Sequence, residues 1–402
     1  MDTVSRFLHY VSFDTQSKEE SDSFPSAEKE KRLGQALAEE LRTLGLEDAH
    51  MDPWGYVYAH LPASPGYETV PALGLISHMD TSPDAPGAGV KPREVAYNGG
   101  ALQLDSGVVI DAQTLAPYVG QTLIVTDGET LLGADDKAGV AEIVSAVAEL
   151  LAHPELQHGP VSVAFTPDEE IGRGTEHFDL ETFGAPLAYT VDGGALGELE
   201  YENFNAANAG VRFTGFNIHP GEAKNKMRNA ILMAQEFLSM LPPAETPAHT
   251  EGREGFFHVN HMAGNESQAA VNLLIRDHDR TAFEKRKEQL QAIVSYLEGK
   301  YGAGTVTLQI RDSYYNMREK IEGHMELIER AQAAMRGEGV TPRIVPIRGG
   351  TDGAQLSWKG LPCPNLCTGG VNFHSVREFI PKAALETMTR VLVRLICLSA
   401  KK

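Results

Sequence analysis

Five short stretches place acidic or imidazole side chains directly after apolar runs, where an open α/β sheet presents them to a ligand. LISHMDTSPD carries His78 and Asp80 after a run ending at Ile76, and AFTPDEEIG carries Glu169 and Glu170 after residues 161–166. YTVDGG carries Asp192 after residues 187–191, and LLGADDKAG sets Asp135 and Asp136 between a strand and a helix. Late in the chain, VNFHS puts His374 in what reads as another strand-end position. Residues two apart in an extended chain point to the same side, so Asp80 can reach the His78 ring. Imidazole and carboxylate donors without thiolate suit a hydrolytic zinc, cobalt or manganese centre, not a structural cysteine site. Two histidines and three carboxylates exceed what one catalytic zinc with an open position takes, but they fit two metals sharing a carboxylate.

Each stretch alone has a plainer reading. Asp135 and Asp136 could cap the following helix, because acids favour its N-terminus. Asp192-Gly193-Gly194 is an ordinary turn signal, and His219 before Pro220 could be a turn residue. Adjacent carboxylates such as Glu169 and Glu170 repel, however, and are costly at a strand end without a cation nearby. The plain readings are therefore poor for all five stretches at once. Competing chemistries lose their support, because G-x-S-x-G, H-E-x-x-H, G-x-x-x-x-G-K-[ST] and G-x-G-x-x-G are all missing.

These side chains need a scaffold, and the spacing of apolar residues supplies one. Residues 26–44 read as an amphipathic helix, residues 57–61 and 72–77 as strands, 139–153 as a helix, and 161–166 and 187–191 as further strands. Strands alternating with helices predict an α/β catalytic domain with a mostly parallel sheet and helices on both faces. From residue 210 to 313 the order changes to strand (211–218), helix (223–241), two strands (256–262, 269–276), helix (281–301) and strand (305–310). That βαββαβ order predicts a smaller ferredoxin-like domain inserted at residues 209–313. Residues 322–336 and 382–399 read as helices, so residues 314–402 are expected to return and complete the catalytic domain formed by residues 1–208.

A length of 402 residues suits such a two-domain chain. Lys and Arg total 35 against 55 for Asp and Glu, a formal charge of −20 that repels phosphate backbones and anionic lipid heads. Nucleic acid and membrane are therefore poor partners, and no window approaches the ~20 apolar residues of a membrane helix. The start of the chain does not read as a signal peptide, and the cysteines Cys363, Cys367 and Cys397 form no C-x-x-C pair. A cytoplasmic setting with buried thiols is the expectation.

The motifs SHMDTSPD, LLGADDKAG, TPDEEIGRG, TVDGG followed by GELEYENFNAA, IRGGTDGAQLS, GLPCPNL and TGGVNFHS together resemble the zinc-dependent M20 metallopeptidases. Within that family their order and spacing are similar to the tripeptide aminopeptidases through nearly the whole chain. The resemblance implies two Zn2+ ions, with Co2+ or Mn2+ as substitutes. His78 and Asp192 would hold one, Glu170 and His374 the other, and Asp135 would bridge them. Asp80 would orient the His78 ring, and Glu169 would be the general base, passing a proton from the attacking water to the leaving amine. A cis peptide is implied between Asp135 and Asp136.

The inserted domain resembles the family's lid. In NIHPGEAKNKMRNA, His219 matches a histidine that would stabilise the carbonyl oxyanion. Arg276 of LLIRDHD and Arg348 of PIRGGTDG match positions that would grip the C-terminal carboxylate of a small peptide substrate. The expected activity is thus release of the N-terminal residue from tripeptides, with a homodimer as the candidate assembly. The rivals are another M20-type activity (dipeptidase, aminoacylase or carboxypeptidase) and a non-catalytic metal- or peptide-binding protein on the same scaffold.

Overall fold

The computed structural model describes residues 1–400. These divide into two compact units: residues 1–201 with 317–345 and 351–400, and residues 202–316 with 346–350.

The first unit is built on an eight-stranded sheet in the order His50–Met51, Val57–Leu61, Val161–Thr166, Leu73–His78, Leu187–Val191, Asn365–Leu366, Glu198–Glu200, Arg343–Ile344. Its centre is parallel: Leu73–His78 pairs with both Val161–Thr166 and Leu187–Val191, and Asn365–Leu366 continues the direction. The flanking pairs with Val57–Leu61 and Glu198–Glu200 are antiparallel, so the sheet is mixed. Both faces of the central strands are covered, which is why they read as unbroken apolar runs. On one face Tyr56, Tyr58, Ile76 and Ala164 pack with Phe178, Phe183 and Leu356.

On the other face, helix Ala134–Ala152 lies against strand Leu73–His78 and is covered in turn by Lys382–Ser399 and Thr3–Tyr10. Its approach is close: a Cβ on Gly139 would stand 2.1 Å from the Val191 carbonyl oxygen and 2.6 Å from Ser77 Oγ. A small antiparallel sheet, Phe379–Pro381 with Thr122–Val125 and Arg93–Ala96, completes the unit. Cys363 and Cys367 are buried thiols, whereas Cys397 is only half-buried, unlike the expectation for all three.

The second unit has the element order strand Asn205–Thr214, helix Ala230–Ser239, strands Phe256–Gly264 and Gln268–Asp277, helix Arg280–Tyr301, strand Val306–Tyr314. Its four strands are all antiparallel, and both helices pack on one face over a core that includes Val211, Phe237, Leu273 and Leu290.

The unit begins earlier than residue 209 because the first strand starts at Asn205, whose Oδ1 accepts the Asn316 amide at 3.0 Å. It also takes in residues 346–350, because the Ile347 amide donates to the Glu202 carbonyl at 2.9 Å. Arg348 therefore belongs here and not, as its place after residue 314 had suggested, to the catalytic unit. The first helix is shorter than residues 223–241, since Asn229 caps it by accepting from Ile231 and Leu232.

Among the described residues no helix is long and apolar enough to cross a membrane.

Candidate active site

Three neighbouring parallel strands end side by side, and their carboxyl ends carry His78, the turn with Glu169 and Glu170, and Asp192. A fourth donor, Asp135, comes from the first turn of helix Ala134–Ala152, where the backbone leaves helical geometry at Asp135 and Asp136 and the peptide between them is cis. His374 does not sit at a strand end. It lies in a loop closed by reciprocal hydrogen bonds between Val371 and Phe379, and it takes a left-handed backbone conformation (φ 57°).

The side chains converge on Asp135. Its Oδ1 is 2.9 Å from His78 Nε2, and its Oδ2 is 3.4 Å from His374 Nε2. Asp192 Oδ1 stands 3.5 Å from His78 Nε2, and Glu170 Oε2 stands 2.8 Å from His374 Nε2. One carboxylate thus offers an oxygen to each imidazole, and each imidazole has a further carboxylate of its own.

The tautomers are set from behind. His78 Nδ1 donates to the Asp80 carbonyl oxygen at 3.0 Å, since a carbonyl can only accept. His374 Nδ1 lies 3.0 Å from Asp84 Oδ2. Both Nε2 lone pairs consequently face carboxylate oxygens, an arrangement of acceptor against acceptor that is favourable only with positive charge among them.

The titration behaviour follows from that field. Burial alone would lower the His78 pKa, but Asp192, Asp135 and Asp80 together raise it well above its ordinary value. Asp135 and Glu170 push His374 up to about 11. Burial opposes ionisation of Asp135, yet the two imidazoles hold it below the usual carboxylate range. Burial and the neighbouring Asp135 raise Glu170 to about 8, and one of its oxygens, Oε1, is buried without a partner. Glu169 is raised by burial, which the charges of Asp192, Asp352 and Glu170 reinforce.

The donor set fits divalent metal. Ligand atoms around a tetrahedral zinc with bonds of about 2.0–2.1 Å lie roughly 3.3 Å apart. The four separations above, 2.8 to 3.5 Å, bracket that edge. Asp136 is also near His78, but its carboxylate accepts the His78 amide at 3.1 Å and the Gly139 amide at 3.3 Å, so it fastens the helix to the strand.

Asp80 does more than face the His78 ring, where its Oδ1 is 3.3 Å from Nδ1. Its Oδ1 accepts the Glu169 amide at 3.0 Å and its Oδ2 the Glu170 amide at 3.2 Å, so one buried carboxylate holds both acids of the TPDEEIG turn. Asp84 is the residue that reading by type did not assign. Its only sequence signal is the spacing in SHMDTSPD, since its partner is 290 positions away.

The remaining expected residues belong to the second unit. His219 is exposed, and its Nδ1 accepts the Gly221 amide at 3.1 Å, which leaves the other ring nitrogen outward of that turn. Arg276 donates to the carbonyls of Ala207 (3.2 Å) and Ile275 (3.0 Å) and lies over the Tyr314 ring. Arg348 donates to the Gly252 carbonyl (2.8 Å) and Thr250 Oγ1 (3.0 Å) and covers the Phe204 ring.

A mixed α/β unit in which one carboxylate offers an oxygen to each of two imidazoles, in a chain that also carries a ferredoxin-like unit, defines a class of metal-dependent hydrolase. The chain belongs to peptidase family M20/M25/M40, whose family model matches residues 107–397. Two full-length relatives are each named Peptidase T. One, from Halothermothrix orenii, is 51% identical and covers 99% of both chains. The other, from Desulfitobacterium hafniense, is 52% identical over 99% of this chain and 98% of its own. Among solved structures, an aminopeptidase PepT from Bacillus cereus aligns over 99% of this chain and 98% of its own, with a TM-score of 0.80 at 23% identity. A dinuclear metal binding peptidase of the M20 family from Bacillus subtilis aligns over 98% of both chains with a TM-score of 0.66 at 14% identity, which speaks for the fold alone.

Proposed function

We propose that this chain is a metal-dependent aminopeptidase that releases the N-terminal residue from tripeptides. The observation that carries the reading is full-length identity of about half to relatives named Peptidase T. His78 and Asp192 would hold one Zn2+, Glu170 and His374 a second, and Asp135 would bridge them. When bound, such a pair polarises the scissile carbonyl and makes water a nucleophile near neutral pH.

The chain's own residues do the rest. Asp80 fixes the His78 tautomer and the turn that carries Glu169, so the base is held in place before substrate arrives. Glu169 takes a proton from the attacking water on its carboxylate and returns it to the nitrogen of the leaving amine. The His219 ring nitrogen not bonded to Gly221 donates toward the developing oxyanion, a contact worth about 3 kcal/mol of barrier. Arg276 and Arg348 bind the substrate's C-terminal carboxylate with their guanidinium groups. A grip at fixed reach makes the second unit, acting as a lid, a measure of peptide length. The enzyme works in the cytoplasm on free small peptides, and a homodimer is the proposed assembly.

One panel tests this reading: free di-, tri- and tetrapeptides and an N-blocked tripeptide, before and after chelation and return of zinc. Preference for the free tripeptide with loss and recovery of activity is expected. Equal turnover of the blocked peptide would sink the aminopeptidase reading.

A further inference from the structure

We propose that Glu378 is a positioning residue that ties the loop carrying His374 to the loop carrying Asp135, and so sets the spacing between the two halves of the proposed metal centre. The inference rests on the metal reading above, to which it adds a residue that touches no metal ligand side chain.

Glu378 is buried at 1% exposure, and three backbone amides from one distant segment point at its carboxylate. Its Oε2 accepts from Leu132 at 2.7 Å and from Gly133 at 2.8 Å, and its Oε1 accepts from Asp135 itself at 3.0 Å. These amides would otherwise be orphans at the start of helix Ala134–Ala152, and an unsatisfied buried amide costs about 1–3 kcal/mol. The register of the small sheet brings the acid there: Phe379, the next residue, pairs with Val125, at the end of the strand that leads into the Asp135 loop.

The same residue closes the His374 loop. The Glu378 amide donates to the Ser375 carbonyl at 3.0 Å, and Val371 and Phe379 exchange backbone bonds of 2.9 and 3.0 Å. Between those closures both Asn372 (φ 61°) and His374 (φ 57°) are left-handed, a conformation that persists only where the surroundings enforce it. Asn372 Nδ2 adds a bond to the Arg377 carbonyl at 3.2 Å. Glu378 is thus the joint between a constrained histidine loop and the non-helical turn that presents both Asp135 oxygens.

The chemistry demands a carboxylate. Three N–H donors meet two oxygens that only accept, whereas an amide would turn its own NH2 toward at least one of the donors. Glu378→Gln keeps the volume and breaks that match, so Co2+ titration of the metal-free full-length protein is the test. The expected result is a 10- to 100-fold loss of Co2+ affinity, an altered visible absorption band, and a fall in kcat with little change in KM, while circular dichroism of the metal-free protein is unchanged. A folded Glu378→Gln that binds Co2+ with wild-type affinity and spectrum overturns the inference. If this variant does not fold, Glu378→Asp, with both oxygens on a shorter stem, is read by the same titration with the same two outcomes. Failure of the wild-type protein to bind Co2+ would instead overturn the metal reading, and this inference with it.

Discussion

The side chains of the centre divide by what they face. His78, His374, Asp135, Glu170 and Asp192 turn lone pairs toward one another, whereas Asp80, Asp84 and Glu378 turn theirs to ring and backbone N–H groups. Glu169→Gln is expected to lower kcat by roughly 10²–10⁴-fold while metal analysis still finds both ions, and a near-normal rate would remove Glu169 as the base. Asp80→Asn should cost about 10–100-fold in metal affinity or activity, because it disturbs the His78 ring and two amides together. Asp84→Asn should cost less, since the Asp84 side chain is 65% exposed and water can replace it; competition titration with a chelator ranks the two. His78, Glu170 and Asp192 were legible in the sequence because type and position coincide, an acid or imidazole just after an apolar run, whereas His374 lies in a loop and was marked out by the family resemblance. Asp84 and Glu378 were not, because an acid that serves a distant ring or backbone looks like any other loop acid.

At the scale of elements, the close approach of helix Ala134–Ala152 to the sheet is the feature most open to test. Gly139→Ala would drive a methyl against the Val191 carbonyl and Ser77, so a loss of about 1–3 kcal/mol or more is expected, measured by denaturant unfolding. The same helix buries Glu142 with neither carboxylate oxygen partnered, and burial raises its pKa well above 4.5. The folded state therefore holds a proton there that the unfolded chain releases, so this residue's contribution to stability declines as pH rises above 4.5. Glu142→Gln should gain stability relative to wild type from pH 5 to 8, and a constant difference across that range would contradict the assignment. The strands of five residues or more and the helix Lys382–Ser399 were legible from periodicity, whereas the short strands, such as Thr122–Val125, Asn365–Leu366 and Phe379–Pro381, were not. Boundaries were not where a polar turn intervened: the helix placed from residue 139 begins at Ala134 because its first turn is pinned by Glu378, and the one placed from 223 begins at Ala230 behind its Asn229 cap.

At the scale of the whole molecule, much of the charge of −20 is spread over solvated surface, and only a few acids are concentrated in the site. Chelation should therefore act locally but be felt globally, since a ligand that binds only the native state stabilises it by about 4 kcal/mol at a thousandfold excess over Kd. A lower melting temperature after metal removal, restored by zinc, is the expected calorimetric result. The alternation of strand and helix and the βαββαβ order were legible in the chain, but the assignment of Arg348 was not, because five residues cross to the second unit through backbone pairing that leaves no compositional trace.

The place of strand Asn365–Leu366 has a consequence for synthesis. It lies between Leu187–Val191 and Glu198–Glu200, so the main sheet stays in two pieces until residue 366 has been made. His374 follows eight residues later. A nascent chain that has not yet reached residue 374 thus carries four of the five proposed ligands without the fifth, and the proposed cutting edge is completed only after the sheet itself.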